Sequence, residues 1–387
     1  MKLAIVGGLL QGIEAVYLAK KAGYETLVID RRAAAPATFI ADESVALDIQ
    51  QEPAKTKKLL ADCDAVIPAN ENLETLIALA ELSKEAEINL LFDLNAYQIS
   101  SSKILSNRLI NDLHLPLPQP WPACGFPAIV KPSGQSGSIG VKKVMSDEEI
   151  TAAIAAIHQL GDQEIIQEYV AGPNVSIEMI GDGQRAEAMV VTEVVLDDHY
   201  DCKMVRCPLP QMEPAAHKAL AEYGRALAEA VSLKGIMDLE AIYSPKGLKI
   251  LEIDARLPSQ TPAAVVNATG VNLLQHLVEA AQGRLSAPQP TDGAAIYEHL
   301  AFDNGVLRSC GEKTFAAVKA PRLEQGLFGA SEMITDYEAG KSSWRATMIN
   351  TGKTPAAAWQ KRQNCLERLL QENDIKQYID PVPEVVT

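Results

Sequence analysis

The stretch that most limits what this chain can fold into is KGIMDLEAIYSPKGLKILEIDARLPSQTP, residues 234 to 262. Two runs of alternating apolar and acidic residues flank Ser244-Pro245-Lys246-Gly247. Pro presets φ and Gly tolerates the left-handed region, so the segment is predicted to be a hairpin with a three-residue loop. Such a loop sets Ser244 opposite Leu248, Glu240 opposite Glu252, and Asp238 opposite Asp254. A period of two then puts Met237, Leu239, Ala241, Leu251, Ile253 and Ala255 on a core face. Asp238, Glu240, Glu252, Asp254 and Arg256 share the other face. Like charges paired across strands repel. Four carboxylates on one face therefore call for a cation, and oxygen donors without His or Cys suit Mg²⁺ arriving with substrate phosphates. The plainer reading is a solvated face. Against it, the acidic strand runs directly into the polar loop Leu257 to Pro262 rather than a simple exit turn.

Residues 1 to about 95 alternate strand and helix, with strands at Leu3–Val6, Thr26–Asp30, Ala65–Pro68 and Asn89–Phe92. That alternation implies a parallel sheet and an α/β class. Gly7, Gly8 and Gly12 before a helix, with Asp30 ending the second strand, invite a dinucleotide reading. The spacing is G-G-x-x-x-G rather than G-x-G-x-x-G, which weighs against it. In open parallel sheets ligands lie at the carboxyl ends of the strands, where Leu10, Gln11, Asp30, Asp48, Ile49 and Glu71 fall.

Further along, Phe126–Lys131 is a strand, followed by Ser133-Gly-Gln-Ser-Gly-Ser-Ile-Gly140 and a second strand. A Gly/Ser loop of this kind lays backbone N–H groups around phosphate oxygens. A plain hairpin turn is its alternative, and Lys131 at the loop's entrance favours phosphate. The one Gly-Lys-Thr, at 352 to 354, has Thr347 where a Walker loop needs Gly, so it is set aside.

Together the acidic hairpin, the Gly/Ser loop and the αβ opening resemble the ATP-grasp carboxylate–amine ligases. The resemblance implies an ATP-grasp fold with an N-terminal Rossmann-like domain over 1–95. A linker and small subdomain over 96–185 and a large subdomain over 186–387 would follow. It implies ATP and two Mg²⁺ as cofactors, with Glu240, Glu252 and Asp254 as metal ligands and Arg256 and Lys131 acting on the phosphates. Lys103 and Ser138 would join them at the nucleotide, as would Asp30, Asp48 and Ile49. Gln167, Glu168, Tyr169 and Val170 match the segment that holds adenine and ribose.

Phrases such as Asn-Glu-Asn-Leu (70 to 73), Lys-Gly-Ile-Met-Asp (234 to 238), Pro-Ser-Gln-Thr-Pro (258 to 262) and Ile-Tyr-Glu-His-Leu (296 to 300) narrow the likeness. They resemble the branch of that family serving pyrrolysine biosynthesis, with 3-methyl-D-ornithine and L-lysine as implied substrates. On that likeness Ser176, Ile177, Glu178, Glu240, Pro258, Ser259, Gln260, Thr261, Pro262 and Ala263 would hold the ornithine portion. Leu10, Gln11 and Glu71 would receive lysine. A ligase for a different amino acid, a dehydrogenase and a non-catalytic nucleotide module are the rivals.

Composition adds exclusions. A net charge of −15 disfavours nucleic acid or an anionic membrane as partner. Six cysteines without a CxxC pair suit reduced thiols and a cytoplasmic protein. No run reaches the ~18 apolar residues of a membrane span.

Overall fold

A computed structural model describes residues 1–209 and 212–383. The N-terminal part is a five-stranded sheet in the order β3-β2-β1-β4-β5. Its strands are β1 (Lys2–Val6), β2 (Glu25–Asp30), β3 (Glu43–Ala46), β4 (Ala65–Pro68) and β5 (Asn89–Leu90), all paired in parallel. Strands β1, β2 and β4 are buried on both faces, which is why they read as unbroken apolar runs. Helices α1 (Leu10–Lys21), α2 (Pro53–Ala61) and α3 (Leu73–Glu85) make the crossovers. The order in which strands are added reverses between β1 and β4, so the loops Gly7–Leu9 and Ala69–Asn72 open a crevice there. Gly7 has φ +119, and a Cβ on it would stand 2.3 Å from the Ala69 carbonyl oxygen, so the two loops meet only at glycine.

Helices α4 (Leu94–Ser100) and α5 (Lys103–Asp112) lead to a small antiparallel sheet ordered β7-β6-β8. It comprises β6 (Ala128–Pro132), β7 (Lys142–Val144) and β8 (Glu164–Glu168), and α6 (Asp147–Gln159) packs its Ile150, Ala153 and Ile157 against it.

The third sheet has twelve strands and begins with β9 (Asn174–Asp182), β10 (Ala186–Ala188), β11 (Thr192–Leu196) and β12 (Cys202–Cys207). After α7 (Pro214–Ala230) come β13 (Lys234–Ser244) and β14 (Gly247–Asp254), then α8 (Thr261–Thr269) and α9 (Leu273–Ala281). Strands β15 (Ala294–Asp303) and β16 (Val306–Ser309) precede the short α10 (Glu312–Phe315). The remainder is β17 (Arg322–Gln325), β18 (Glu332–Thr335), β19 (Ser343–Gly352), α11 (Pro355–Glu372) and β20 (Gln377–Ile379). The long path runs β14-β13-β9-β11-β12-β15-β19-β18-β17. One face of β13, β14 and β9 packs Met237, Leu239, Ile253 and Met179 under α7. Among the described residues no helix is long and apolar enough to cross a membrane.

The hairpin β13–β14 departs from the predicted one at its tip. Its loop is two residues, Pro245-Lys246, with Ser244 paired to Gly247 and Tyr243 to Leu248. Deeper in, Glu240 pairs with Glu252 and Asp238 with Asp254, as the sequence implied. A β-bulge between Glu240 and Ala241 absorbs the difference, leaving Leu251 as the extra residue. Leu251 is therefore half-buried at the cleft rather than in the core.

Behind β15 lies a buried ion pair. Arg362 of α11 donates from Nε to Glu298 Oε2 at 2.8 Å and from Nη2 to Glu298 Oε1 at 2.6 Å. Glu298 is fully buried. Removing the arginine leaves a buried charge without compensation, which costs about 3 kcal/mol or more. Arg362→Met is accordingly expected to lower denaturant-unfolding stability by about 3 kcal/mol. Unchanged stability would show that the ion pair contributes nothing to folding.

Candidate functional site

Two cavities of about 640 and 600 Å³ meet at a throat lined by Glu71, Ser136, Gly137, Arg256, Ser259 and Glu312. The larger lies between the acidic face of β13–β14 and the small sheet with its Gly/Ser loop. The smaller sits in the crevice at the carboxyl ends of β1, β2 and β4.

Asp238, Glu240, Glu252 and Asp254 all line the larger cavity. Strand alternation puts them on one face, and the β9 partners of Asp238 and Glu240 are Glu178 and Ser176, which deepens the polar strip. Cations meet this strip from three sides. Lys103 Nζ lies 2.9 Å from Glu252 Oε2, and Arg256 Nη2 lies 2.9 Å from Asp254 Oδ2. Lys131 Nζ donates to the Leu251 carbonyl at 3.1 Å. That carbonyl belongs to the bulged residue, so the irregularity in the hairpin is what supplies a partner for the lysine.

The charges are unequally compensated. Burial pushes Glu240 well above the usual carboxylate range, and repulsion from Asp238 and Glu252 adds to it. Burial likewise raises Asp254 to about 6, partly offset by Arg256. Glu252 goes the other way: burial opposes ionisation, but Lys103 and Lys131 outweigh it and hold the carboxyl low. Burial also lowers Lys131 to about 8, with Glu252 pulling it back up. Asp254 Oδ1 is buried with no hydrogen-bond partner among the described residues. An unpartnered carboxylate oxygen beside two other acids, with only oxygen donors present, fits a hard divalent cation.

Lys103, Lys131, Ser138, Gln167, Glu168, Tyr169 and Val170 all line the larger cavity. Lys103 Nζ also donates to the Gln135 carbonyl at 2.8 Å, tying α5 to the Gly/Ser loop. Ser138 Oγ donates to the Tyr200 carbonyl at 2.6 Å, so the loop docks on the turn before β12. Pro258, Ser259, Gln260 and Thr261 share this cavity. Gln260 is buried at φ +75, with its Nε2 donating to the Cys202 carbonyl and to Glu312 Oε2, both at 3.3 Å.

Other expected residues fall elsewhere. Asp30, Asp48 and Ile49 line the smaller cavity with Leu10 and Gln11, away from the Lys131 side of the cleft. Asp30 is already engaged by the Gly8 N–H at 2.7 Å and by Arg32. Ser176, Ile177, Glu178, Pro262 and Ala263 do not line either cavity. Ile177 faces the opposite side of β9 and packs in the core beneath α7, because alternation turns it away from Ser176 and Glu178. Ser176 Oγ donates to Asp238 and Thr261 Oγ1 to Glu178, so these two sit one layer behind the wall. Pro262 and Ala263 are in the first turn of α8, buried by its packing. Glu312 and Ser136, both at the throat, were not singled out from the sequence. Isolated in a segment without a motif, Glu312 offered no signal.

An ATP-grasp domain family matches residues 100–260, and a family described as PylC-like, N-terminal domain, matches 3–91. The 3-methyl-D-ornithine–L-lysine ligase of Methanosarcina mazei is 40% identical over 317 residues, covering 81% of this chain and 82% of that one. Its counterpart in Methanosarcina barkeri is 38% identical over 317 residues, with 81% and 84% covered. The chain belongs to the 3-methyl-D-ornithine–L-lysine ligase family.

Its fold is that of the ATP-grasp enzymes. The biotin carboxylase domain of Hydrogenobacter thermophilus 2-oxoglutarate carboxylase, solved with MgADP and bicarbonate, superposes with TM-score 0.74 at 16% identity. That match covers 95% of this chain and 89% of the other. An N5-carboxyaminoimidazole ribonucleotide synthetase solved with ADP gives TM-score 0.70 at 16% identity, covering 96% and 97%. This member of the ligase family thus carries a mixed α/β architecture whose acidic hairpin faces a two-lobed cleft.

Proposed function

We propose that this ligase joins the carboxylate of (3R)-3-methyl-D-ornithine to the ε-amine of L-lysine, converting ATP to ADP and phosphate, in pyrrolysine biosynthesis. The observation that carries this reading is the throat. A face of four acids met by Lys103 and Lys131 opens there onto a second cavity, with Glu71 and Glu312 at the junction, as a reaction between an activated acid and an amine requires.

ATP occupies the larger cavity in this proposal, with its base against Gln167 to Val170 and its phosphates under the Gly/Ser loop. Lys103, Lys131 and Ser138 face those phosphates. Glu240, Glu252 and Asp254 would hold Mg²⁺, two ions in this proposal, which when bound would supply charge neutralisation for the phosphate oxygens. Pro258 to Thr261 bound the place for the ornithine carboxylate, which takes the γ-phosphoryl group to give an acyl phosphate. Arg256 lies close enough to Asp254 and the throat to neutralise charge on that intermediate. Lysine enters through the smaller cavity past Leu10, Gln11 and Glu71. The amide forms as phosphate leaves, so positioning and charge stabilisation do most of the work. The division 1–95, 96–185 and 186–387 assigns lysine entry to the first unit and ATP to the other two. A cytoplasmic location, with no nucleic-acid or membrane partner, accords with the acidic chain.

The decisive assay incubates the protein with Mg-ATP, 3-methyl-D-ornithine and L-lysine, following ADP and product mass. ADP release that requires both amino acids, with a product equal to their sum less one water, is expected. ADP release indifferent to them, or none in their presence, would overturn the reading.

Lys131 gives a pH signature. Its ordinary value of 10.5 is lowered to about 8, so the ammonium persists below that pH and is lost as pH rises through it. Phosphate binding favours the charged form and is therefore coupled to proton uptake. ADP affinity measured calorimetrically should fall about 3- to 10-fold from pH 7 to pH 9. A flat profile would place Lys131 away from phosphate.

A further inference from the structure

We infer that Glu312 receives the amine nucleophile at the throat and accepts the proton that the amine must lose before it attacks. This deepens the ligase reading and rests on it. Glu312 lies in the wall common to both cavities, where a nucleophile arriving from the smaller meets an acyl phosphate formed in the larger. Its backbone is fixed from both sides: the Gly311 N–H donates to Asp197 Oδ2 at 3.1 Å and the Lys313 N–H to Asp201 Oδ2 at 3.0 Å. Its Oε2 accepts from Ser259 Oγ at 2.8 Å and from Gln260 Nε2 at 3.3 Å. These contacts aim the carboxylate and leave Oε1 without a hydrogen-bond partner among the described residues. Oε1 stands 3.4 Å from where a Cβ on Gly137 would be, and so faces the Gly/Ser loop.

The other acids near the throat are committed. Glu71 Oε1 accepts from Gln11 Nε2 and Arg256 Nε, each at 2.9 Å, and Oε2 accepts from Ser136 Oγ. Although burial opposes it, Arg256 and these donors hold Glu71 below its usual range, so it is a poor proton acceptor. Asp254 is paired with Arg256 and belongs to the cation face. The charged groups within electrostatic reach of Glu312 include Arg256, Asp201 and Glu14, and its own neighbour Lys313 lines the smaller cavity.

The chemistry needs such an acceptor. A primary amine with a pKa of about 10.4 is an ammonium at neutral pH and has no lone pair to donate. One N–H proton passes to Glu312 Oε1. The freed pair forms the C–N bond, and the carbon–oxygen bond to phosphate breaks with its electrons leaving on phosphate. The second proton departs with phosphate, giving a neutral amide.

Glu312→Gln retains an acceptor oxygen for Ser259 and Gln260 but cannot take a proton. Hydroxylamine, uncharged at neutral pH, traps acyl phosphates without needing a base. In Glu312→Gln the rate of amide formation from L-lysine should fall about 100-fold, while hydroxamate formation and the KM for ATP stay at wild-type values. Glu312→Asp, which keeps a carboxylate, should recover most of the amide rate. Parallel loss of amide and hydroxamate, an unchanged amide rate, or equal loss in both variants would overturn the inference. Wild-type protein that forms neither product would instead end the ligase reading, and this inference with it.

Discussion

Glu252→Gln is expected to leave a folded protein that turns over about 1,000-fold more slowly. Of the hairpin acids facing the larger cavity, Glu252 has its carboxyl held low, because Lys103 and Lys131 outweigh burial. Glu240 and Asp254 are both pushed toward their protonated forms in the absence of a cation. The face thus presents one carboxylate held low and two raised, the set that a divalent cation would find in the proposed function. The amide keeps the size of the side chain and an oxygen for Lys103, so packing survives. What disappears is the charge that balances two lysines and that, in the proposed function, would draw in the ion. Thermal unfolding within a few degrees of wild type, together with lost ADP release, is the expected pair of results. Undiminished turnover would show that the metal is held elsewhere.

Arg256→Ala is expected to lose both stability and activity. The guanidinium spans two acids, donating from Nε to Glu71 at 2.9 Å and reaching Asp254 from Nη2 at 2.9 Å. It is largely buried, with 17% of its side chain exposed. Deleting it strands two carboxylates, at a cost of about 3 kcal/mol, and removes a cation that lines the throat, lowering kcat/KM by about 100-fold or more. Lysine is no substitute, since one ammonium cannot hold two acids on different elements in a forked geometry. The stability loss should depend on pH in a fixed direction. Arg256 holds Glu71 below its ordinary 4.5, so that contribution is present above this pH and vanishes as pH falls through the folded value. Denaturant unfolding of wild type and variant should therefore differ most near neutrality and converge in acid. A gap that widens in acid would contradict the pairing.

The facing of the hairpin acids is legible in the sequence, and for local reasons. Alternation in Asp238-Leu-Glu and Glu252-Ile-Asp fixes which side chains share a face, and the structure keeps those pairs opposite one another. At the tip, Pro245-Lys246-Gly247 is compatible with either a two- or a three-residue loop, and the structure adopts the shorter. The bulge that reconciles the registers leaves the Leu251 carbonyl to accept from Lys131 of β6, a contact that local sequence does not report. Glu178 and Ser176 illustrate a second limit. Strand alternation puts them on one face of β9, but whether that face is cavity wall or buried support depends on α8 lying over it, with Thr261 hydrogen-bonded to Glu178.

By itself, then, the sequence determined the strand and helix alternation of the first ninety residues and the acid-bearing face of the hairpin. It also determined the lysine leading into a glycine-rich loop. Each of these is written in spacing and residue type within a few positions along the chain. Only the tertiary structure decided that Glu71, Arg256 and Glu312, separated by 185 and 56 positions, converge on one throat. It alone put Asp30 and Asp48 in one lobe and Lys131 in the other. Convergence of distant side chains depends on how three sheets pack, and packing is a property of the whole chain rather than of any segment.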